Sequence, residues 1–96
     1  MAEYRFTQNA EYDLEEIIDY TVQQWNEQQA LRYLDGLETQ GQRLADNPDI
    51  GAKRDSIAEG LLSFPYESHI LYYFKMPHGI TILRVLHQSM DPVRHL

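Results

Sequence analysis

Apolar side chains in the first half of the chain recur at the spacing of an α-helix. From residue 8 to about residue 25 they fall three or four positions apart with acids between them, which predicts one amphipathic helix. Thr7 precedes this stretch, and its hydroxyl can accept a hydrogen bond from a free amide of the first turn. The predicted buried stripe consists of Ala10, Leu14, Ile17, Ile18, Thr21, Val22 and Trp25.

A second helix is predicted between Asn26 and Pro48. Asn26 is a favourable helix cap, Gln29 completes a capping-box pattern, and Asn47-Pro48 stops the helix. Gly41 falls on the apolar stripe, which favours close packing of the two helices. Because the connection between them is short, the helices are predicted to form an antiparallel hairpin with facing stripes. The second stripe consists of Ala30, Tyr33, Leu34, Leu37, Gly41, Leu44 and Ala45.

The second half of the chain changes to the pattern of β-strands. Residues 70–76 and 80–86 are almost continuously apolar, which predicts two central strands covered on at least one face. Pro77-His78-Gly79 forms a tight connector between them, in which Gly79 supplies a positive φ. The remaining predicted segments are a first strand at Tyr4-Arg5-Phe6, a loop over residues 49–60, a short strand over residues 61–65 and an irregular tail over residues 88–96.

This order of elements predicts an α+β fold, with an N-terminal strand and a helix hairpin on one face of a small antiparallel sheet of three to four strands. The length of 96 residues fits one domain over residues 1–96. The chain has no cysteine for a disulfide scaffold. Because the sequence begins without a signal-peptide pattern and has no apolar run of about 18 residues, we expect a soluble cytoplasmic protein without membrane contact.

Charge is distributed unevenly along the chain. The formal net charge is −7, and residues 1–50 hold eleven acids and three bases, whereas residues 51–96 hold four acids and five bases. The first half would therefore repel nucleic acid, and an anionic partner is expected at the second half. The alternative interpretation is that the acids only keep the outer faces of the helices soluble.

Few residues are candidates for chemistry. Since there is neither a glycine-rich phosphate loop nor a metal-ligand spacing, no metal and no cofactor are expected. Arg84 is a charge within an apolar strand, which is costly unless it is paired. It either holds an anion or a partner's carboxylate, or it points to the open face of the sheet and pairs with a nearby acid. His87 ends the same strand, and we expect it on the same face as Arg84.

Together with Tyr73 on the neighbouring strand, Arg84 and His87 could in principle cleave RNA. The imidazole or the phenol would handle the proton of the 2′-hydroxyl, and the guanidinium would stabilise the developing phosphate charge. Three residues of common types are a weak signal, and efficient cleavage would need more positive charge to hold the RNA backbone.

Short motifs occur in a fixed order along nearly the whole chain. They are Phe6-Thr7, Ala10 to Ile17, Tyr20, Ala30 to Leu34, Leu44 to Gly51, Arg54-Asp55, Gly60-Leu61, Phe64-Pro65, His69 to Tyr73, and Ile82 to His87 with Asp91. In this order and spacing they resemble the ParE-type toxins of the RelE/ParE superfamily of bacterial toxin–antitoxin modules. The ending His87-Gln88-Ser89-Met90-Asp91 resembles a His-x-Ser-Met-Asp subgroup directed against gyrase, whereas many ParE-type sequences read His-x-Arg-Arg-Asp at this place.

The resemblance implies a toxin that inhibits or poisons DNA gyrase and is neutralised by a ParD-like antitoxin in a hetero-oligomer. It would meet DNA only indirectly, through the antitoxin or gyrase, and would act as a protein inhibitor rather than as an enzyme. An antitoxin would place a helix in an apolar groove, add a strand to a sheet edge, or both. The expected antitoxin contacts are Tyr4, Phe6, Tyr72 and Tyr73. The expected gyrase contacts are Arg84, His87, Met90, Asp91 and Arg94.

Two other functions stay open at this point. RelE-type relatives cleave mRNA on the ribosome with a set of basic residues and a tyrosine, for which Tyr73, Arg84 and His87 are the candidates here. The two arginines of the common ParE-type ending are missing, and because the basic set of the RelE type is thus largely absent, the resemblance favours the gyrase target over the nuclease. The third reading is a non-toxic member that only binds its antitoxin.

Overall fold

The computed structural model describes residues 2–96, and within this range the elements alternate between sheet and helix. In chain order they are β1 (Glu3–Phe6), α1 (Gln8–Gln24), α2 (Glu27–Asp46), a 3-10 turn (Pro48–Ile50), β2 (Ala52–Lys53), β3 (Leu62–Tyr66), β4 (His69–Met76), β5 (Gly79–His87) and α3 (Pro92–His95). None of the helices in this range is long and apolar enough to cross a membrane.

Both long helices begin where the sequence predicts. Thr7 has an extended backbone, and its hydroxyl oxygen accepts the Ala10 N–H at 3.1 Å. The same hydroxyl donates to the Leu83 carbonyl at 2.6 Å, so the cap also ties α1 to β5. The Asn26 side chain accepts the Gln29 N–H at 2.8 Å at the start of α2. The local capping chemistry was therefore sufficient to place both helix starts.

The α+β class is confirmed, but the sheet is larger and mixed. Its strand order is β1-β5-β4-β3-β2, and β1 runs parallel to β5 while the other neighbours are antiparallel. The prediction of three to four antiparallel strands is wrong in these two respects. β2 lies in the predicted loop, and with only two residues it is too short to show a periodic pattern. A four-residue strand such as β1 likewise does not reveal its direction.

Gly79 has the positive φ that the connector pattern predicts, at 141°. A Cβ at this position would lie 2.2 Å from the Glu3 carbonyl oxygen, so the glycine also lets β1 approach the start of β5. The Glu3 N–H donates to the His78 carbonyl at 2.7 Å at the same point. One glycine therefore serves both the tight turn and the parallel strand pair.

Apolar side chains pack on both faces of the two central strands, as their continuous hydrophobicity predicts. On the helix side the buried cluster includes Leu37, Leu44, Leu71, Tyr73, Ile80 and Ile82. On the other face a smaller cluster of Leu61, Tyr72 and Leu86 lies against Ile57, Met90 and their neighbours. Within residues 2–96, the face away from the helices is thus covered by the segment before β3 and by the residues after β5.

Two details of the predicted helix packing are wrong. A Cβ at Gly41 would lie 3.1 Å from the ring of Tyr4. The missing side chain therefore lets β1, rather than α1, pack closely against α2. Val22 and Trp25 were placed on the buried stripe of the first helix, yet both are exposed. The core covers α1 only up to Ile17 and Thr21, and the last turn of the helix projects beyond it.

We expect the Thr7 hydroxyl to contribute measurably to stability because it makes two hydrogen bonds. Thr7→Val keeps the shape of the side chain and should lower the free energy of unfolding by about 1–2 kcal/mol. Thr7→Ser retains the hydroxyl and should stay within about 0.5 kcal/mol of the wild type. Urea denaturation followed by circular dichroism measures both, and equal losses in the two variants would contradict this role.

Candidate functional site

The end of β5 lacks a neighbouring strand on one side, and an aspartate takes that place. β1 ends at Phe6, opposite Ile82. Beyond this pair, the side of β5 that faces away from β4 has no strand beside it. Asp13 Oδ2, from α1, accepts the Val85 N–H at 2.9 Å. The carboxylate therefore satisfies a backbone donor that the missing strand would otherwise accept.

The same carboxylate binds Arg84 through two further hydrogen bonds. Arg84 Nε donates to Oδ2 and Nη2 donates to Oδ1 of Asp13, both at 2.8 Å. The two side chains are only 20% and 12% exposed, so the pair is far less screened than a surface ion pair. The hydrogen bond to Asp13 raises the pKa of Arg84 above its already high ordinary value. The remaining nitrogen, Nη1, donates to the carbonyl of His95.

Arg84 thus has an acidic partner, but at a different place from either expectation. Its strand position is on the face away from the helices, but its guanidinium lies at the edge of β5, where the Asp13 carboxylate balances its charge. The sequence pattern assigned Asp13 no role beyond a soluble helix surface. Nothing in the local pattern of α1 distinguishes Asp13 from its acidic neighbours, because its partner lies 71 residues further along the chain.

Arg84 and His87 do not share a face of β5. Arg84 pairs with Tyr72, next to a β-bulge that leaves Leu83 without a partner, whereas His87 pairs with His69. Directly paired residues point to the same face. Tyr72 belongs to the cluster away from the helices, while His69 contacts the ring of Tyr33 on α2. Both residues still border one groove, because Asp13 draws the guanidinium to the edge of β5.

The neighbouring Ser89 selects the tautomer of the neutral His87 ring. His87 Nδ1 accepts the Ser89 backbone N–H at 3.1 Å and lies 2.7 Å from the Ser89 hydroxyl. Because a backbone N–H can only donate, Nδ1 carries no proton and the neutral ring has its hydrogen on Nε2. In this form Nε2 offers a hydrogen-bond donor to a partner and cannot accept a proton as a general base.

Tyr73 is not near these groups. Its side chain is 0% exposed in the helix-side core, and its hydroxyl donates to the Pro48 carbonyl at 2.7 Å. Burial raises the pKa of Tyr73. The predicted nuclease set of Tyr73, Arg84 and His87 is therefore not assembled in this structure, since the tyrosine is enclosed and the arginine is bound to Asp13.

The four expected antitoxin contacts divide into two pairs. Tyr72 and Tyr73 are only 4% and 0% exposed, so neither offers a surface to a partner and that part of the prediction is wrong. Consecutive residues of a strand point to opposite faces, and both faces of this central strand are covered. Tyr73 is therefore buried on the helix side and Tyr72 on the other side. Tyr4 and Phe6 are half-buried on β1, with ring centroids 5.8 Å apart.

β1 leaves one edge of the sheet open. The N–H groups of Glu3 and Thr7 donate to the carbonyls of His78 and Ile82, so the odd-numbered residues of β1 pair with β5. Because backbone groups alternate along a strand, the N–H and C=O groups of Tyr4 and Phe6 point to the free edge. An edge of this kind can pair with an added strand.

A groove of about 910 Å³ lies between the helix hairpin and the ends of β4 and β5. Tyr12, Tyr20 and Trp25 line one wall and are 54%, 63% and 73% exposed. His69 and Met90 line the opposite side. Large exposed aromatic side chains around a groove are typical of a protein-binding surface. The sequence pattern missed Tyr12 and Tyr20 because both lie off the apolar stripe of α1.

The floor of the groove contains two buried polar atoms without a partner among residues 2–96. They are the Tyr33 hydroxyl and His69 Nδ1. Burial and the adjacent His87 ring, at 5.5 Å between centroids, lower the pKa of His69, against a smaller opposing effect of Asp13. His69 is therefore neutral near pH 7. No third His, Cys, Asp or Glu of the described residues joins the two imidazoles in a metal-binding group.

The remaining residues expected at the target surface lie after β5. Met90 is half-buried between the groove and the smaller cluster. Asp91 and Arg94 are exposed, and the Asp91 side chain caps α3 by accepting the Val93 N–H at 3.0 Å. One short segment thus carries His87, Met90, Asp91 and Arg94, whereas Arg84 lies within β5 and is bound to Asp13.

Comparison with known proteins gives a consistent family. The family model described as "ParE toxin of type II toxin-antitoxin system, parDE" matches residues 4–92. The chain is 32% identical over 96 residues to Toxin ParE1 of Caulobacter vibrioides, covering 100% of this chain and 99% of the relative. It is 40% identical over 94 residues to Toxin ParE1 of Mycobacterium tuberculosis, covering 97% and 96%.

A solved structure has the same fold. The chain matches a structure titled "Chromosomal ParDE TA system from P. aeruginosa" with a TM-score of 0.75 and 25% sequence identity, over 91% of this chain and 96% of the other. The matches extend over almost the whole chain, including the helix hairpin, the sheet and Asp91. The chain therefore belongs to the ParE family, the toxins of type II parDE toxin–antitoxin systems.

Proposed function

We propose that this ParE-family toxin acts on DNA gyrase through the exposed segment of residues 87–96, and that a ParD-like antitoxin neutralises it. The observation that carries the proposal is the combination of an exposed, polar segment with the absence of an assembled catalytic set among the described residues. A protein inhibitor needs an exposed contact surface, whereas a nuclease needs a base, an acid and a cation around one phosphate.

Three features argue against catalysis of RNA cleavage. The Tyr73 hydroxyl is enclosed in the core and bound to the Pro48 carbonyl. Ser89 holds His87 in the tautomer that cannot serve as a base at Nε2. The net charge of −7 opposes close approach to a nucleic-acid backbone. A gyrase inhibitor needs no catalytic tyrosine, no catalytic base and no nucleic-acid site of its own, because gyrase itself binds and cuts the DNA.

The proposed gyrase contacts are His87, Met90, Asp91 and Arg94. They offer a fixed N–H donor on His87, an apolar group on Met90, and one charge of each sign on Asp91 and Arg94. Arginine is among the residues that dominate protein interfaces, so Arg94 is the first candidate for a large individual contribution. Arg84 is removed from the contact set, because Asp13 and His95 occupy its nitrogens.

The proposed antitoxin surface has two parts, the free edge of β1 and the aromatic groove. At the edge, Tyr4 and Phe6 present unpaired backbone groups that an extended segment can join. In the groove, Tyr12, Tyr20 and Trp25 can pack against the apolar side of a partner helix. Such a partner would cover the exposed aromatic area of the free toxin in a hetero-oligomer.

A gyrase assay tests the proposed target. Purified chain without antitoxin, added to gyrase with relaxed plasmid and ATP, should abolish supercoiling or leave linear DNA at near-stoichiometric amounts. Arg94→Glu should weaken inhibition about tenfold, as expected for loss of an interface arginine. Lys53→Glu makes the same charge change on β2, which β3 and β4 separate from β5, and should leave inhibition unchanged. Failure of the folded wild type to affect gyrase would reject the target.

A second variant separates inhibition from RNA cleavage. Tyr73→Phe removes only the enclosed hydroxyl and should leave gyrase inhibition intact, at a stability cost of about 1 kcal/mol. The nuclease reading instead requires ribosome-dependent mRNA cleavage that this substitution abolishes. Primer-extension mapping of mRNA with ribosomes detects that outcome. No effect on gyrase or on mRNA would leave the chain as a non-toxic antitoxin-binding member.

Amide hydrogen exchange tests the antitoxin edge without any substitution. In the free chain we expect the Tyr4 and Phe6 amides to exchange quickly and the Arg5 amide, which faces β5, to exchange slowly. Binding of the antitoxin should protect Tyr4 and Phe6, while Arg5 serves as the internal reference. The NMR exchange rates of the free and bound chain measure this. A stable complex in which Tyr4 and Phe6 still exchange quickly would exclude strand addition at β1.

A further inference from the structure

The segment that carries the proposed contacts has few attachments to the rest of the fold. Within residues 91–96, the backbone hydrogen bonds of Arg94 and Leu96 run to Asp91 and Pro92 in the same segment, and Asp91 caps its own short helix. The ion pair between Asp91 and Arg94 is also internal. Among the hydrogen bonds of the described chain, only that from Arg84 to the His95 carbonyl joins this segment to another element.

α3 cannot hold this conformation by itself. It has four residues, far fewer than the roughly 12–15 at which an isolated helix becomes even marginally stable in water. Val93 on it is 69% exposed and only Pro92 is half-buried, so apolar packing contributes little to holding α3. Met90, the residue directly before the segment, is anchored by its contacts with the smaller cluster. These contacts do not fix the orientation of Arg94.

Arg84 can orient the segment because Asp13 orients Arg84. Two guanidinium nitrogens, Nε and Nη2, bind the Asp13 carboxylate, and this paired geometry aims the third, Nη1, at His95. Asp13 in turn is fixed by the Val85 N–H and by its place on α1. A guanidinium makes all three bonds from one rigid plane, which the single ammonium group of lysine cannot do.

We infer that Asp13 and Arg84 form a positioning pair that sets the orientation of the segment of residues 91–96, and that Arg84 acts on the target only through this segment. The consequence for inhibition rests on the proposed gyrase function, whereas the consequence for the order of the segment does not. Asp13, which lies on α1 more than 70 positions before the contacts, is thereby a determinant of the target surface.

The effect of the pair should be separable from general stability and from the free edge of β1. α1 is also held by the buried Ala10 and Ile17 and by the Thr7 hydroxyl, so the fold does not depend on Arg84 alone. The proposed antitoxin edge at Tyr4 and Phe6 is formed by β1, which does not contact Arg84 in the strand register. A loss confined to the 91–96 segment therefore distinguishes positioning from unfolding.

Arg84→Lys is the decisive substitution, since it keeps the charge opposite Asp13 and removes the bond to His95. We expect the Arg94 and Leu96 amides to exchange about tenfold faster than in the wild type and gyrase inhibition to weaken about tenfold, as for loss of a charge-assisted hydrogen bond. Exchange of the Arg5 amide, which pairs β1 with β5 away from Arg84, should change less than about twofold. Asp13→Asn should give the same pattern, and Glu11→Gln, an exposed acid on α1, should give none of it.

The outcomes separate the two claims. Unchanged exchange at Arg94 and Leu96 in Arg84→Lys would overturn the positioning pair whatever gyrase does. Faster exchange with full gyrase inhibition would overturn the claim that the positioning pair matters for gyrase inhibition. If the wild type does not inhibit gyrase, the proposed function fails, while the exchange rates still decide whether Asp13 and Arg84 order the segment. Should Arg84→Lys lower the melting temperature strongly, Asp13→Asn supplies the same comparison from the other partner.

Discussion

The carboxylate of Asp13 makes the interactions on which the arrangement of the chain from the end of β5 onward depends. β1 stops at Phe6, and the next donor of β5 that needs a partner, the Val85 N–H, is accepted by Asp13. The same two oxygens hold Arg84, and Arg84 holds the carbonyl of His95. α1 therefore meets β5 and α3 at one group, although it lies far before both of them in the sequence. Removal of either charged partner would leave the other in a poorly solvated site, which is usually costly.

This arrangement gives the molecule two surfaces with different construction. The antitoxin surface that we propose uses features that are already present in the sheet and the hairpin, namely the free edge of β1 and the exposed Tyr12, Tyr20 and Trp25. The target surface that we propose is a short segment that depends on Arg84 for its orientation. An acidic protein can act through such a surface, because binding to another protein requires neither a catalytic base nor a nucleic-acid site.

The sequence was sufficient for features that depend on neighbouring residues, and insufficient for those that depend on remote ones. The caps at Thr7 and Asn26 and the positive φ of Gly79 follow from local chemistry, and each was predicted correctly. The role of Asp13 was not, since an acid on an exposed helix carries no sign of a partner 71 residues away. The aromatic pair Tyr72 and Tyr73 suggested a surface, but a central strand buries both faces.

The most direct test is a hydrogen-exchange footprint of the wild-type chain with and without purified gyrase, because it asks where the two proteins touch rather than whether activity is lost. Our account predicts that amides within residues 87–96 become protected on addition of gyrase, while those of Tyr4 and Phe6 at the free edge of β1 exchange as before. Binding that protects other regions and leaves residues 87–96 unchanged would contradict the assignment of this segment as the target surface.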